Sequence, residues 1–159
     1  MRKRVLTRRL AFLAALAVFL LLGGATVAAQ DGAREEPVDP RFGMIEAFWQ
    51  PEDAAELNVG WDRILFYWNE IQPTGPDDWN TLHVLEEWLV DAEANDRMVM
   101  DVLKNTPSWA TDGEPSSGVP RGLYLPVDDP DNLWAGYVRK IVDYYAPRGV
   151  HHWIDWNEP

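Results

Sequence analysis

The fold is decided by the stretch Trp61-Asp62-Arg63-Ile64-Leu65-Phe66-Tyr67-Trp68. Its second half is apolar at every position, which is typical of a strand covered on both faces in a parallel sheet. Further strands are predicted at 41–48 and 98–103, and the fourth in the stretch 151–159. Helices are predicted from Pro51 to about residue 58, from a cap at Asp77 or Asp78 to about residue 93, and from a cap at Asp131 or Asn132 to Tyr145.

Four strands that alternate with three helices indicate parallel βα units. We expect an α/β fold, namely the N-terminal half, about four βα units, of a (β/α)8 TIM barrel. A doubly wound sheet fits the same pattern but lacks support, because no glycine-rich phosphate loop follows the first strand. Right-handed crossovers place the loops after the strands at one end. Trp68, Glu158 and the long loop from Lys104 to Val127 should therefore lie on one face.

Composition limits the possible functions. The 159 residues are 47% hydrophobic and 25% charged, as in a soluble one-domain protein, and include no cysteine for disulfides or thiolate sites. Outside the first 29 residues the chain has nine basic and 26 acidic residues, a net charge of −17. Such a surface repels nucleic acid and is compatible with a neutral polysaccharide. Nine tryptophans exceed what packing usually requires, and exposed aromatic faces commonly hold sugar rings.

The N-terminus predicts export. A basic segment at 2–9 precedes the apolar run from Leu10 to Leu22, and Val27-Ala28-Ala29 offers small residues for cleavage before Gln30. We expect a bacterial-type signal peptide at 1–29, a polar linker at 30–40 and a secreted or extracytoplasmic domain at 41–159. A twin-arginine signal around Arg8-Arg9 and an uncleaved membrane anchor are the alternatives.

The last stretch, 151–159, is the candidate for chemistry. Its apolar, aromatic run delivers Asn157 and Glu158 to a strand's C-terminal end, just before a proline. Catalytic residues of parallel barrels project from such ends, and a carboxyl group beside aromatic rings suits proton transfer to a sugar. Strict alternation would point the two side chains to opposite faces, so a shared site requires a bend there. His151 and His152 begin the strand and are interpreted as structural, and no residue cluster has metal-ligand spacing.

Three segments, in order, resemble those of the large clan of retaining glycoside hydrolases built on (β/α)8 barrels, which includes families 5, 10, 39 and 42. The segments are Trp156-Asn157-Glu158-Pro159 after the fourth strand, Trp68-Asn69-Glu70-Ile71-Gln72-Pro73 after the second, and Thr106-Pro107-Ser108-Trp109-Ala110 after the third. The resemblance covers about residues 41–159. It implies hydrolysis of β-linked oligo- or polysaccharides with retention, and it implies no cofactor.

The resemblance also implies residue roles. Glu158 would be the general acid/base, and Asn157 would bond the sugar 2-hydroxyl. Arg63 matches an arginine that orients the nucleophile, with a barrel salt bridge as the alternative. Trp68 and Trp109 are candidates for sugar contact, with core packing as the alternative.

The catalytic nucleophile is the part that these residues do not supply. The resemblance places this second carboxylate at the end of a seventh strand, and a complete barrel needs ~250 residues. We therefore expect the 159 residues to be an inactive N-terminal fragment. Alternatives are a non-catalytic carbohydrate-binding barrel and an anchored structural module, while oligomeric state stays open.

Overall fold

The computed structural model describes residues 37–156. They form a parallel sheet in the order β1-β2-β3-β4. The strands are β1 (Asp39–Ile45), β2 (Val59–Tyr67), β3 (Met98–Lys104) and β4 (Val150–Asp155). The helices are α1 (Pro51–Glu56), α2 (Trp68–Ile71), α3 (Glu86–Ala94) and α4 (Leu133–Tyr145). The predicted signal peptide, and Asn157 and Glu158, lie outside the described residues.

Helices α3 and α4 pack on one face of the sheet. Leu89 of α3 and Ile141 of α4 share a buried cluster with Ile64 and Phe66 of β2. Consecutive strand order with right-handed crossovers requires this one-sided arrangement, whereas a doubly wound sheet reverses its strand order and has helices on both faces. The architecture is therefore that of part of a parallel barrel. No helix within residues 37–156 has the length and apolar character needed to cross a bilayer.

Alternation along β2 separates two sets of side chains. Ile64 and Phe66 are buried beneath the helices, whereas Arg63, Leu65 and Tyr67 are only partly buried and point to the opposite face, here called the inner face. Gly43 of β1 lies beside Trp61 on this face, and a Cβ at residue 43 would stand 1.8 Å from the Trp61 ring. The strand therefore needs glycine to accommodate the indole.

Several predicted boundaries differ from the structure, among them the end of β1, which lies at Ile45 and not at residue 48. The sheet begins at Asp39, inside the linker predicted at 30–40. Helix α3 begins only at Glu86, and Asp78 does not cap it but accepts hydrogen bonds from Thr74 and Gly75. The reason is His83, whose Nε2 lies 3.1 Å from the Leu65 carbonyl oxygen and holds the preceding segment against the edge of β2.

Helix α4 agrees with its sequence pattern. Asn132 rather than Asp131 caps it, because the Asn132 Oδ1 accepts a hydrogen bond of 3.0 Å from the Ala135 N–H. Its buried face places Tyr145 edge-on against Phe66, with ring centroids 4.8 Å apart. The predicted apolar stripe therefore forms the contact between this helix and the sheet.

A buried polar cluster lies between β3 and α4. Asp101 of β3 is 0% exposed, and it interacts electrostatically with Tyr137 and Tyr145 of the helix. Neither oxygen of the carboxyl group, nor either tyrosine hydroxyl, has a hydrogen-bond partner among the described residues. Burial raises the pKa of Asp101 well above its usual value, since desolvation disfavours the charged form.

Candidate active site at the carboxyl ends of the strands

Left-handed backbone conformations follow three of the four strands. Glu46 after β1 has a φ of 55°, Asn105 after β3 has 66°, and Trp156 after β4 has 66°. Residues other than glycine adopt this region at an energetic cost, but Asn58 before β2 and Asp96 before β3 adopt it too, so the conformation by itself does not mark a functional edge. We call the C-terminal ends of β1 to β4 the carboxyl edge. In barrels of parallel strands, catalytic groups lie at this edge.

Trp156 provides a bend immediately before Asn157. Its N–H donates a 3.0 Å hydrogen bond to the Leu103 carbonyl oxygen of β3, and its ring meets that of Trp134 edge-on, with centroids 6.0 Å apart. A left-handed tryptophan is uncommon, so these two contacts hold a conformation that the chain would otherwise avoid. Strand alternation ends here, and a bend at this position is what a shared site for residues 157 and 158 requires.

Hydrogen bonds tie the segments that follow the strands to neighbouring parts of the sheet. The Ala47 N–H donates to the buried carboxylate of Asp62 at 2.9 Å, and the Glu46 N–H donates to the Arg63 carbonyl oxygen at 3.0 Å. Burial raises the pKa of Asp62, whereas the hydrogen bond from Ala47 opposes that shift. The Asn69 N–H reaches the Asn105 carbonyl oxygen at 3.0 Å. The loops of the carboxyl edge are therefore held in fixed positions.

Trp68 does not have the predicted position for a sugar contact. Its side chain is 0% exposed, its ring stacks on Tyr137 with centroids 4.8 Å apart, and its Nε1 donates to Gln72 Oε1 at 2.7 Å. Trp68 is two residues after Phe66, so its side chain lies on the same face and extends the line of buried side chains beyond the strand. The prediction of direct sugar contact is wrong for this residue, and the alternative of core packing is what the structure shows.

Trp109 remains partly exposed at the carboxyl edge. Its Nε1 donates to the Gln72 carbonyl oxygen at 2.7 Å, and its ring meets Trp68 edge-on at 5.6 Å. These contacts fix the indole by its polar edge while leaving part of its surface accessible. A rigid, partly exposed indole is suited to holding an apolar sugar face, so sugar contact by Trp109 stays a prediction.

Arg63 lies on the inner face, partly buried. In the sheet, Arg63 pairs with Met100 of β3, and Met100 pairs with His152 of β4. Arg63 is four residues below Tyr67, about 13 Å at strand spacing. Arg63 also pairs with Ile45, so it is level with the carboxyl end of β1 but below that of β2, on the face that a closed barrel would enclose. His151 and His152 are exposed in the first half of β4, away from the edge.

The long loop after β3 is internally braced. Thr106 pairs with Ser116 and Thr111 with Pro120, while the Asn132 side chain donates to the Leu125 carbonyl oxygen at 3.0 Å. Together with the end of β4 and the start of α4, the loop encloses a cleft of about 350 Å³. The cleft is lined mostly by apolar side chains, including Leu123, Trp134 and Trp156. It is an accessible apolar surface next to the predicted catalytic stretch.

Comparison with solved structures identifies the fold. A family 39 glycoside hydrolase from the gut symbiont Bacteroides cellulosilyticus superposes with a TM-score of 0.56 at 15% identity, over 78% of this chain and 26% of that one. The described residues therefore share the fold of part of that structure. Fpglu1 from Fervidobacterium pennivoraus is also similar, with a TM-score of 0.49 at 21% identity over 70% of this chain and 29% of that one. The chain thus spans about a quarter of the length of these structures.

Sequence comparisons give no match. No protein-family model and no curated protein matches the chain. At this identity, the structural similarity establishes the fold, and the activity has to be argued from the site.

The carboxyl edge holds polar residues that the sequence analysis did not select. Tyr67 and Lys104 end β2 and β3 and are aligned by register. Burial raises the pKa of Tyr67, and the carboxylates of Glu46 and Glu70 add to the shift. Side-chain alternation along β2 could have identified Tyr67 from the sequence, because it places Tyr67 on the same face as Arg63. Within residues 37–156, no group of three or more His, Asp and Glu side chains is arranged to hold a metal ion.

Proposed function

We propose that the protein is a secreted retaining glycoside hydrolase that cleaves β-linked oligo- or polysaccharides. Glu158 acts as the general acid/base and Asn157 contacts the sugar 2-hydroxyl. The observation that carries the proposal is the left-handed Trp156, which ends the fourth strand at the carboxyl edge directly before these residues. The fold shared with a family 39 glycoside hydrolase supports the same conclusion.

The aromatic rings at the end of β4 support a proton-donating role for Glu158. Trp156 and Trp134 meet at the end of β4, and such aromatic surfaces displace water from a neighbouring carboxyl group. Desolvation raises a carboxyl pKa, which keeps the acid protonated until the leaving oxygen needs its proton. In the first step Glu158 protonates the leaving oxygen while a second carboxylate attacks the anomeric carbon. In the second step Glu158 takes a proton from the water that releases the sugar.

The second carboxylate stands ~5–5.5 Å from the first in retaining enzymes. We propose that it comes from the end of a seventh strand. Arg63, on the inner face, orients that nucleophile, and Trp109 contacts the sugar. Isolated residues 1–159 are accordingly proposed to be inactive.

The test uses the complete gene product that contains this chain and aryl β-glycosides with poor and good leaving groups. Glu158→Ala should lower kcat roughly 10² to 10⁴-fold on the poor leaving group, because the lost proton transfer is worth that much. The loss should be much smaller for 2,4-dinitrophenolate, which needs no proton. Glu93→Gln, at an exposed position of α3, is the matched control and should leave both rates unchanged.

Two outcomes would overturn the assignment. A loss of only a few-fold on the poor leaving group would remove Glu158 from the acid/base role. An intact protein that binds β-linked oligosaccharides in calorimetry but releases no product would instead be the non-catalytic carbohydrate-binding barrel. Proton NMR of the first-formed product tests retention directly, since the anomeric configuration is read before mutarotation.

A further inference from the structure

Tyr67 and Lys104 form a pair at the carboxyl edge. They are the last residues of β2 and β3, aligned in register, and the Lys104 Nζ lies 5.8 Å from the Tyr67 ring centroid. Both side chains are partly buried. Tyr67 points to the inner face, and its alignment with Lys104 places the ammonium group on that face as well. The pair therefore lies where the inner face opens at its carboxyl edge.

Lys104 differs from most other basic residues of the described region in its hydrogen bonding. Six of them donate hydrogen bonds to protein oxygens: Arg41, Arg97, Arg121, Arg139, Lys140 and Arg148. Among residues 37–156, no oxygen accepts a hydrogen bond from Lys104, and its ammonium group has the Tyr67 ring as its contact. An ammonium group carries three donors, and the Lys104 Nζ is not among the buried polar atoms of the described residues that lack a partner, so water reaches it and a ligand oxygen can replace that water. The group is thus available to an acceptor supplied by a ligand.

The neighbouring charges indicate what kind of ligand fits. The carboxylates of Glu46 and Glu70 lie close enough to Tyr67 to interact with it electrostatically. They would repel an anionic substituent, and they can accept hydrogen bonds from hydroxyl groups. A ring that carries several hydroxyls offers donors to these carboxylates and an acceptor oxygen to Lys104. This combination of groups fits a neutral sugar ring better than a uronic acid or a phosphate.

The pair is also adjacent to the predicted catalytic stretch. The Trp156 N–H bonds the Leu103 carbonyl oxygen at 3.0 Å, so the end of β4 is anchored one residue before Lys104. Neighbouring strands lie about 4.8 Å apart. Lys104 therefore belongs to the strand that lies next to the backbone leading into Glu158.

We propose that Lys104, with the Tyr67 hydroxyl beside it, donates a hydrogen bond to one hydroxyl of a neutral sugar ring next to the scissile bond and so determines which epimer is accepted. The inference rests on the proposed glycosidase function and assigns the specificity of that site. Lys104 is a binding residue in this role and takes no part in proton transfer.

The test compares 4-nitrophenyl β-D-glucoside with its C4 epimer, the galactoside, and with the xyloside, using the complete gene product. Lys104→Met should lower kcat/KM for the preferred glycoside roughly 10- to 100-fold, as expected for loss of a hydrogen bond from a charged donor. The ratio of kcat/KM values between epimers should fall about as much, and the loss should appear mainly in KM. Lys104→Arg, which keeps a donor, should retain part of the discrimination.

Two further variants complete the design. Lys140→Met is the control, because the Lys140 Nζ bonds the carbonyl oxygens of Pro76 and Asp78, and it should leave the epimer ratio unchanged. Tyr67→Phe removes only the hydroxyl and should change the ratio in the same direction as Lys104→Met. It also tests the inference if Lys104→Met fails to fold, which circular dichroism would show.

The outcomes separate the two proposals. Hydrolysis with an epimer ratio that stays within two-fold in Lys104→Met and Tyr67→Phe overturns the specificity role while leaving the glycosidase intact. An intact protein that hydrolyses none of the glycosides, nor any β-linked oligosaccharide, overturns the function and the inference together. Stronger activity on a glucuronide than on any neutral glycoside contradicts the choice of a neutral ring.

Discussion

Replacing Asp101 by asparagine is expected to change the pH dependence of stability in a defined way. The carboxyl group is 0% exposed and has no hydrogen-bond partner among the described residues. Burial raises its pKa well above the usual value of 3.8. The folded protein therefore keeps the Asp101 proton at pH values where the unfolded chain has already lost it. Asparagine is close in shape and cannot ionise, so it removes this difference between the two states.

The size of the change in unfolding free energy follows from the one proton that Asp101 releases on unfolding. Below pH 3.8 both states hold the proton, and the contribution of Asp101 to stability is fully present. As the pH rises from there to the folded pKa, unfolding releases a proton, and the free energy of unfolding falls by about 1.36 kcal/mol per pH unit. Above the folded pKa both states are ionised and the slope returns to zero. The difference between Asp101→Asn and the parent should increase with this slope through the same window.

The assay is urea unfolding followed by tryptophan fluorescence at half-unit steps from pH 4 to pH 8. The slope of the difference is the quantity to compare, because the buried amide has unpaired groups of its own that shift all values equally. Asp143→Asn, at an exposed position of α4, corrects for removing an aspartate from the surface. A difference between Asp101→Asn and the parent that stays flat across this range would refute the reasoning.

Two other substitutions test the boundaries of the elements. Asn132→Ala should cost about 1 kcal/mol or more of unfolding free energy, because it removes the cap of α4 and the bond to Leu125, whereas Asp131→Ala should cost less than about 0.5 kcal/mol. A larger cost for Asp131→Ala in the urea assay would contradict the cap assignment. Burial lowers the pKa of His83, so as the pH falls below the usual 6.5 the unfolded chain binds a proton before the folded protein does. Stability is therefore lost as the pH falls through the folded pKa. His83→Gln should abolish this acid-side loss, and an unchanged pH profile would show that His83 is not its source.

The order and type of the main elements could be predicted because they depend on local pattern. The apolar run at Ile64 and the stripe of α4 each bury one set of side chains, and both are found where the periodicity places them. The start of α3 could not be predicted in the same way. The interaction of His83 with the backbone of β2 is a tertiary contact, and it overrides the helical periodicity of the residues before Glu86.

The place of the candidate site at the end of the fourth strand stays a prediction, while the structure changes which aromatic residues can belong to it. Motif order directed attention to Trp68, because the resemblance aligns its segment with a sugar-binding region. The structure puts Tyr67 on the inner face and Trp68 in the core. Lys104 lacked any signal of its own, since its lack of an acceptor among the described residues depends on what surrounds it in space. Side-chain alternation, followed from Ile64 to the end of β2, would have assigned Tyr67 and Trp68 to opposite faces.

Side-chain alternation along the strands does not extend to Glu158, so kinetics must decide its role. Along β2 and β3 alternation continues to the last residue, so Tyr67 and Lys104 can be assigned to the inner face. Beyond β4 it stops, because the left-handed Trp156 turns the chain out of strand geometry. Because of that turn, strand alternation no longer requires Asn157 and Glu158 to face opposite ways. For the same reason, alternation does not assign either side chain to a face. A leaving-group-dependent loss of kcat in Glu158→Ala supplies the missing information, because only a group that reaches the scissile oxygen can produce it.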